Sequence, residues 1–431
     1  MNFSSPYKNF VFEDMSFDSA SATAMFRYSF DSERFFTESV KFSPSPVVVN
    51  KVALQSVLEL AFWVVGVSYY KAFPTKSVIF KTNSPSREQA KFLSTVYSDG
   101  LSQFIFENKL SLEQLATFIG NERIAAPEPY NGEGTLVLQS GGKDSLLLAT
   151  LLEEQSISYQ PWYISSSEKH PSVLDHLKSP LTTAIRTIDA EGLRLATKEG
   201  GLNGHVPVTY IVLSLALVQA VLGNMNTVLA AIGMEGEEPH AFVDSLPVNH
   251  QWSKTWAAEL LFSKYVDQFI SADIRVGSPL RGFSELRIAE LFAEHCWKKF
   301  GHDFSSCNSA NYQQGADNTT LTWCGECPKC ANSYLLFAPF ISINELRNVF
   351  SGQDLFAKPQ LAEIFKGLLG IDGTMKPFEC VGEVAELRLA YQMALQKHGS
   401  AVAPLPFEVP ESSFDYKKIN ISQPWAQSFL K

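Results

Sequence analysis

Positive charge and cysteine are both scarce in this chain of 431 residues. It carries 35 Lys and Arg residues against 45 Asp and Glu residues, which leaves a formal net charge of −10. Proteins that bind nucleic acid regardless of its sequence need a basic surface to displace counterions, so we expect no nucleic-acid partner. Six cysteines occur, and no positively charged leader precedes an apolar segment. These absences favour the reducing cytoplasm, where thiols are free or bound to metal.

Uninterrupted apolar runs of membrane-spanning length are also missing. The two nearest approximations are residues 52–70 and 206–223. The first contains Gln55 and Glu59, and the second contains Gln219. Because buried helices packed on a sheet explain both segments better than membrane spans do, we expect no membrane insertion.

The length exceeds what one ordinary core requires, and 45% of the residues are apolar, as in a folded globular chain. We therefore predict three regions: an N-terminal α+β domain for substrate recognition (1–130), an α/β core (131–300) and a helical, cysteine-containing region (301–431). In the first region the pattern predicts a hairpin formed by residues 25–30 and 35–42. It also predicts helices at 51–70 and 86–108, with a strand at 77–81 between them.

From residue 134 onward, apolar strand patterns alternate with helical patterns, which indicates a parallel, doubly wound sheet. The predicted strands are 135–139, 160–165, 184–188 and 227–232. In such sheets ligands bind beyond the carboxyl ends of the strands. Residues that directly follow each strand are therefore the first candidates for a binding site.

The most informative of these turns separates an apolar run from an amphipathic run and consists of Ser140, Gly141, Gly142, Lys143, Asp144 and Ser145. It predicts a strand, a phosphate-binding loop and a helix, because paired glycines let the backbone approach an anion and a helix start offers free N–H groups. A Walker loop is excluded, since that motif has four residues between its first Gly and its Gly-Lys pair. The alternative is a tight turn with chance serines.

This turn resembles the PP-loop of the ATP pyrophosphatases. Enzymes of that group hold the pyrophosphate of ATP, cut ATP between the α and β phosphorus atoms, and transfer AMP to an oxygen of the substrate. The resemblance implies ATP as a cofactor, a sheet of the PP-loop type and a catalytic role for Lys143. The positions of Ser165, Gly233 and Glu235 just past predicted strands make them further nucleotide-binding candidates.

The loop after the fourth predicted strand, residues 233–238, is rich in carboxylates. Together with Asp144, its Glu235 and Glu237 are candidates to hold magnesium beside the phosphates of ATP, because Mg²⁺ takes oxygen ligands and water. A solvated acidic loop without metal is the alternative.

A second cluster of reactive residues contains Cys324, Cys327 and Cys330, with Cys307 upstream. Three thiols at a spacing of three residues can point at one ion, and a fourth would complete a tetrahedral structural zinc site. The same order of cysteines is seen in the deazaguanine nitrile synthases of the PP-loop group, where it binds zinc, although the spacing from Cys307 is longer here. An iron–sulfur cluster and uncoordinated thiols are the alternatives.

Several further motifs, in matching order over most of the chain from about residue 115, resemble one family. They are residues 202–207, 248–251 followed by Ser253-Lys254, 306–308, 324–330 and 373–383. The family is the ATP-dependent UDP-N-acetylmuramoyl-L-alanyl-L-glutamate epimerases of certain bacteria. The resemblance implies inversion of the terminal L-glutamate of that substrate, with ATP and magnesium required, AMP and pyrophosphate released, and a product used in peptidoglycan synthesis.

Such a reaction needs activation and proton transfer. Removing the α-proton beside a carboxylate would build a second negative charge next to the first, and an acyl-adenylate removes this obstacle. Cys380 is the leading candidate for the proton-transferring group, because a nearby cation such as Lys376 can tune a thiol. His205 and His250, in loops before helices, are the next candidates. The alternative is that Cys380 serves only as a small, buried, apolar residue.

Two other functions remain open from the sequence alone. A PP-loop enzyme can pass its adenylate to ammonia, an amine or sulfur, as amide ligases and nucleobase- or tRNA-modifying enzymes do. Met1-Asn2 offers no N-terminal cysteine for a fused glutaminase, and the net acidity disfavours tRNA. A non-catalytic nucleotide-binding or zinc-organised scaffold is disfavoured because Lys143 and Asp144 are both present.

Overall fold

The computed structural model describes residues 3–44, 49–123, 126–312, 319–350 and 352–430. Its strands are β1 (Asn9–Asp18), β2 (Thr23–Phe30), β3 (Arg34–Lys41), β4 (Ser77–Phe80), β5 (Thr135–Leu138), β6 (Gln160–Ser165), β7 (Thr182–Thr187), β8 (Thr227–Leu229), β9 (Ala241–Val243), β10 (Leu246–Val248) and β11 (Arg275–Gly277). Nine of them form one sheet in the order β11-β8-β5-β6-β7-β3-β2-β1-β4, while β9 and β10 form a separate hairpin.

The helices of the described ranges lie on both faces of this sheet and dominate the C-terminal region. They are α1 (Lys51–Val65), α2 (Val67–Tyr70), α3 (Arg87–Ser98), α4 (Ser102–Asn108), α5 (Lys143–Glu154), α6 (Ala190–Lys198), α7 (Val208–Leu222), α8 (Trp256–Phe269), α9 (Glu285–His295), α10 (Trp297–Phe300), α11 (Asn308–Asn311), α12 (Pro328–Phe337), α13 (Ile343–Val349), α14 (Ala362–Leu369), α15 (Val384–His398) and α16 (Pro424–Gln427).

One half of the sheet is parallel: β11, β8, β5, β6 and β7 each run in the same direction as their neighbours. The strands predicted at 135–139, 160–165, 184–188 and 227–232 correspond to β5, β6, β7 and β8. The prediction of an α/β fold with a parallel sheet and a helical, cysteine-containing C-terminal region is therefore confirmed. The assignment of the sheet to the PP-loop type stays a prediction.

The N-terminal strands continue the same sheet. β2 and β3 form the predicted antiparallel hairpin, and β1, which the sequence pattern did not reveal, pairs with β2 on one side and with β4 on the other. β3 then pairs antiparallel with β7, with Ser39 opposite Thr187 and Lys41 opposite Ile185. The sheet thus crosses the boundary predicted near residue 130, and the division into three domains stays a prediction.

A buried ion pair reinforces the junction between β3 and β7. The Glu38 side chain is fully buried, and Arg186 donates from Nε to Glu38 Oε1 at 2.6 Å and from Nη2 to Oε2 at 3.2 Å. Tyr69 also donates its hydroxyl to Glu38 Oε2 at 2.9 Å. Because this two-point contact satisfies a carboxylate away from water, loss of either partner would leave an uncompensated buried charge.

Two apolar cores lie on opposite faces of the sheet. Helices α1 and α7 contribute to one core with Trp162, and α5 and α9 contribute to the other with Tyr163, as the alternation along β6 requires. By length and composition, the stretch Lys51–Tyr70 could cross a membrane, but most of it is buried inside the protein. Such burial is typical of a core helix, which is what we predicted for this segment.

Candidate active site

A cleft of about 290 Å³ opens where β5, β6 and β8 end. This is the edge of a parallel sheet at which ligands bind. Its apolar wall comes from the strand ends and the start of α7, and includes Leu138, Trp162, Ile164, Val208, Val212, Ala230 and Ile232. Of the residues predicted from sequence, the cleft is lined by Ser140, Gly142, Lys143, Asp144, Ser145, Glu235 and Cys380.

The turn between β5 and α5 is braced by its own serines. Ser145 Oγ accepts from the Ser140 backbone N–H at 3.2 Å and donates to the Gly142 carbonyl at 3.2 Å. Gly141 has a φ of +78°, and a Cβ there would lie 2.6 Å from Leu321 Cδ1, so the position requires glycine. No side chain caps the start of α5 at Gly142. The first N–H groups of the helix are therefore available to an anion in the cleft.

Lys143 lies between two carboxylates at the floor of the cleft. Its Nζ is 2.6 Å from Asp144 Oδ1 and 2.5 Å from Glu285 Oε2. Burial alone would lower the pKa of Lys143, but these carboxylates hold it above its ordinary value. The pKa of Glu285 is raised to about 8, chiefly by burial, and its Oε1 atom has no hydrogen-bond partner within the described residues. The sequence analysis did not identify Glu285, because nothing in its local pattern marks it.

Cys380 lies in the same cleft, beside a cation other than the one predicted. Lys376 instead contacts Glu238 Oε2 at 3.1 Å. Lys254 lines the cleft and contacts Glu235 Oε2 at 3.1 Å. Burial alone would lower the pKa of Lys254, but Cys380 and Glu235 hold it above its ordinary value. Lys254, which belongs to one of the recognised motifs but was assigned no role, therefore shares the cleft with Cys380.

The two predicted histidines contact each other outside the lining of the cleft. Their ring centroids are 4.4 Å apart, and His250 Nδ1 lies 2.7 Å from Gln103 Oε1. Burial is the main cause that lowers the pKa of His205 to about 3 and that of His250 to about 4, although Glu379 partly offsets the effect on His250. Both rings are consequently neutral near pH 7.

The other predicted ligands have contacts of their own. Glu237 is exposed, and its carboxylate accepts from the Trp256 N–H at 2.7 Å, at the start of α8. The Gly233 carbonyl accepts from the buried Arg281 at 2.7 Å, and Ser165 donates to the Ser167 carbonyl at 2.7 Å. None of these three predicted residues lines the cleft. Their assignment to ATP or magnesium stays a prediction.

The four predicted cysteines lie together behind the cleft. The fold brings Cys307 next to the other three although it is distant from them in sequence. All four sulfurs lie within 4.8 Å of one another. Cys307 is 3.6 Å from Cys327, Cys324 is 3.7 Å from Cys330, and Cys327 is 3.5 Å from Cys330. Four sulfurs around one zinc ion at roughly 2.3 Å would be roughly 3.8 Å apart, so the thiols fit a tetrahedral zinc site.

Backbone N–H groups also point at these sulfurs. Gly325 donates to Cys330 at 3.3 Å, Glu326 donates to Cys324 at 3.4 Å, and Ala310 donates to Cys307 at 3.4 Å. Donors of this kind favour the thiolate form, in which a cysteine binds metal. The set of donors therefore suits a closed, structural metal site.

Taken with the fold, this site defines an α/β protein in which a glycine-containing turn, the Cys380 thiol and a cysteine cluster lie at the carboxyl edge of a parallel sheet. The chain belongs to the MurL family: the MurL N-terminal domain matches residues 1–278, and the MurL C-terminal domain matches residues 303–409. The family resemblance inferred from the motifs is thereby confirmed.

Three relatives with the same name match most of the chain. A UDP-N-acetyl-alpha-D-muramoyl-L-alanyl-L-glutamate epimerase of Xanthomonas oryzae pv. oryzae is 32% identical over 390 residues, covering 88% of this chain and 84% of the relative. The protein of the same name from Salinispora tropica is 33% identical over 408 residues, covering 92% and 87%. The one from Micromonospora sp. is 31% identical over 419 residues, covering 94% and 92%.

Proposed function

We propose that this protein is an ATP-dependent epimerase that inverts the terminal L-glutamate of UDP-N-acetylmuramoyl-L-alanyl-L-glutamate for peptidoglycan synthesis. The observation that carries the proposal is that a phosphate-type loop and the Cys380 thiol line one cleft. The names of the relatives supply the substrate. Activation and proton transfer must occur on the same glutamyl residue, and a shared cleft allows both.

In this proposal the loop from Ser140 to Ser145 holds the pyrophosphate of ATP while the glutamyl α-carboxylate attacks the α phosphorus. The bond between the α and β phosphates breaks, and acyl-adenylate and pyrophosphate form. Adenylation removes the negative charge that opposes loss of the α-proton. After removal and return of the proton on the opposite face, hydrolysis releases AMP and the D-glutamyl product.

Magnesium would reduce the charge of the phosphates during this transfer. Three carboxylates line the cleft beside the loop: the predicted Asp144 and Glu235, and also Glu285. The unpartnered Oε1 atom of Glu285 is a free oxygen ligand of the type that Mg²⁺ prefers. We therefore assign magnesium to Asp144, Glu235 and Glu285, and leave out Glu237, which faces solvent.

We also propose that Cys307, Cys324, Cys327 and Cys330 hold a structural zinc ion. Two residues next to these cysteines in sequence, Ser306 and Lys329, line the cleft. Zinc would thus fix the wall of the active site that faces the phosphate loop. The geometry of the four sulfurs supports this role.

The direct test is incubation of the protein with ATP, magnesium and UDP-N-acetylmuramoyl-L-alanyl-L-glutamate, followed by separation of the glutamate enantiomers. D-Glutamate should accumulate together with AMP and pyrophosphate. Pyrophosphate release that requires an added amine, and yields no D-glutamate, would instead identify an amide ligase.

Cys380→Ala should separate activation from proton transfer. We expect this variant to release pyrophosphate with the dipeptide substrate but to incorporate deuterium from deuterated water at the glutamyl α-carbon at least about a hundredfold more slowly, since that is the scale of general acid–base catalysis. Cys296→Ala is the matched control, because Cys296 lies in the core and contacts Thr150 Oγ1 at 3.3 Å. Undiminished deuterium incorporation in Cys380→Ala would exclude the thiol and direct attention to His205 and His250.

A further inference from the structure

Three lysines line the cleft, and one of them has no anionic partner. Lys143 and Lys254 each contact a carboxylate. Lys329 forms no ion pair with any residue that the structure describes, and its Nζ donates to the neutral Asn308 Oδ1 at 3.3 Å. A cation that is partly removed from water and forms no direct ion pair favours the binding of an anionic group.

The surroundings of Lys329 make this part of the cleft a built site. Lys329 and Ser333 are four residues apart on α12 and therefore lie on one face of the helix, where both line the cleft. Ser333 is a buried residue that lines the cleft, and its hydroxyl makes no hydrogen bond within the described parts of the chain, so it is available to a ligand.

This wall of the cleft is joined directly to the segment that carries Cys380. Asn332 Oδ1 accepts from the Gly382 N–H at 2.9 Å. Asn308, the partner of Lys329, donates from Nδ2 to Glu379 Oε2 at 3.0 Å. Lys329 and Cys380 therefore lie on two hydrogen-bonded segments that line the same cleft.

We propose that Lys329, with Ser333, binds the side-chain γ-carboxylate of the terminal glutamate; this inference rests on the proposed function. A glutamyl residue carries two carboxylates, and adenylation of the α-carboxylate is what makes the α-proton removable. The γ-carboxylate keeps its charge and needs a cation two methylene groups from the reacting carbon. Lys329 is the cleft lysine that is not already paired with a carboxylate.

The site would distinguish glutamate from glutamine. A glutaminyl substrate has the same shape but no charge, so it forfeits the charge-assisted hydrogen bonds to Lys329. Loss of these bonds should lower kcat/KM for the glutaminyl substrate, relative to the glutamyl substrate, by about tenfold to a hundredfold. A phosphate group of ATP is the other anion that this lysine could reach, and the experiment must separate the two.

The test compares steady-state kinetics of the full-length wild type, Lys329→Met and Lys329→Arg on UDP-N-acetylmuramoyl-L-alanyl-L-glutamate and on its L-glutaminyl counterpart. We expect Lys329→Met to raise KM for the glutamyl substrate at least about tenfold, to abolish its preference over the glutaminyl one, and to leave KM for ATP unchanged. Lys329→Arg should restore most of the preference, since it keeps the charge. The matched control is Lys298→Met, which removes an exposed lysine of α10.

The following results would overturn the inference. A raised KM for ATP with an intact preference for glutamate would assign Lys329 to a phosphate, and unchanged kinetics would remove it from the site. If the wild type inverts no glutamyl residue, the proposed function fails and the inference fails with it. If the wild type is active and the preference survives in Lys329→Met, the inference alone fails.

Discussion

Lys143→Met is expected to lower pyrophosphate release at least about a hundredfold at saturating ATP, magnesium and dipeptide substrate, the scale seen when a single preorganised charge donor is removed. The Lys143 side chain is only 5% exposed, so its charge is poorly screened by water. It also lies at the start of α5, where the free N–H groups of the loop converge. A pyrophosphate-release assay measures the effect directly.

A second substitution separates chemistry from folding in this experiment. Lys143→Met alone leaves the buried Glu285 without its hydrogen-bonding partner, which destabilises the protein. Glu285→Gln in the same chain replaces this carboxyl group by a neutral amide, so the double variant should regain thermal stability, and Glu285→Gln alone measures what loss of this proposed magnesium ligand costs in turnover. Full turnover in the double variant would show that the loop is not the phosphate site.

Among the changes considered, loss of the proposed zinc ion is expected to lower the thermal stability of the protein most. In small zinc domains, metal binding contributes on the order of 10 kcal/mol to folding. Cys327→Ser, or chelation of the wild type, should therefore lower Tm by at least about 10 °C. Elemental analysis of the wild type should give one zinc ion per chain.

Cys296→Ser provides the control for this prediction. Burial raises the pKa of Cys296 to about 12, so this cysteine stays a neutral thiol and is unsuited to bind metal. Its replacement should leave the zinc content unchanged. A purified wild type without stoichiometric metal would refute the zinc assignment and leave the four cysteines as free thiols.

Local sequence signals were sufficient for the parts of the fold that depend on neighbouring residues. β5, the turn at Gly141 and α5 follow one another without interruption, and each has its own pattern of apolar residues or glycines. The hairpin β2–β3 was equally clear because its aromatic residues alternate. Propensity and periodicity act over such short distances, which is why these elements could be predicted.

Contacts between distant residues could not be predicted in this way. Glu285 is 142 positions from Lys143, and no spacing rule relates them. Lys376, which is close to Cys380 in sequence, pairs with Glu238 in the fold and does not line the cleft that contains Cys380. Lys254 lines that cleft because the loop after β8 and the turn before α8 meet there.

The pairing of β3 with β7 also constrains how the chain can fold during synthesis. β3 leaves the ribosome long before β7, and its pairing with β7 must wait for residues 185–187 to emerge. Until then, the β3 edge of the N-terminal meander has unpaired N–H and C=O groups. Such an edge can pair with other chains and so promotes aggregation. Pairings between strands this far apart also slow folding, because a long loop must close first. The fold thus leaves the β3 edge of the early meander uncovered until β7 has been synthesised.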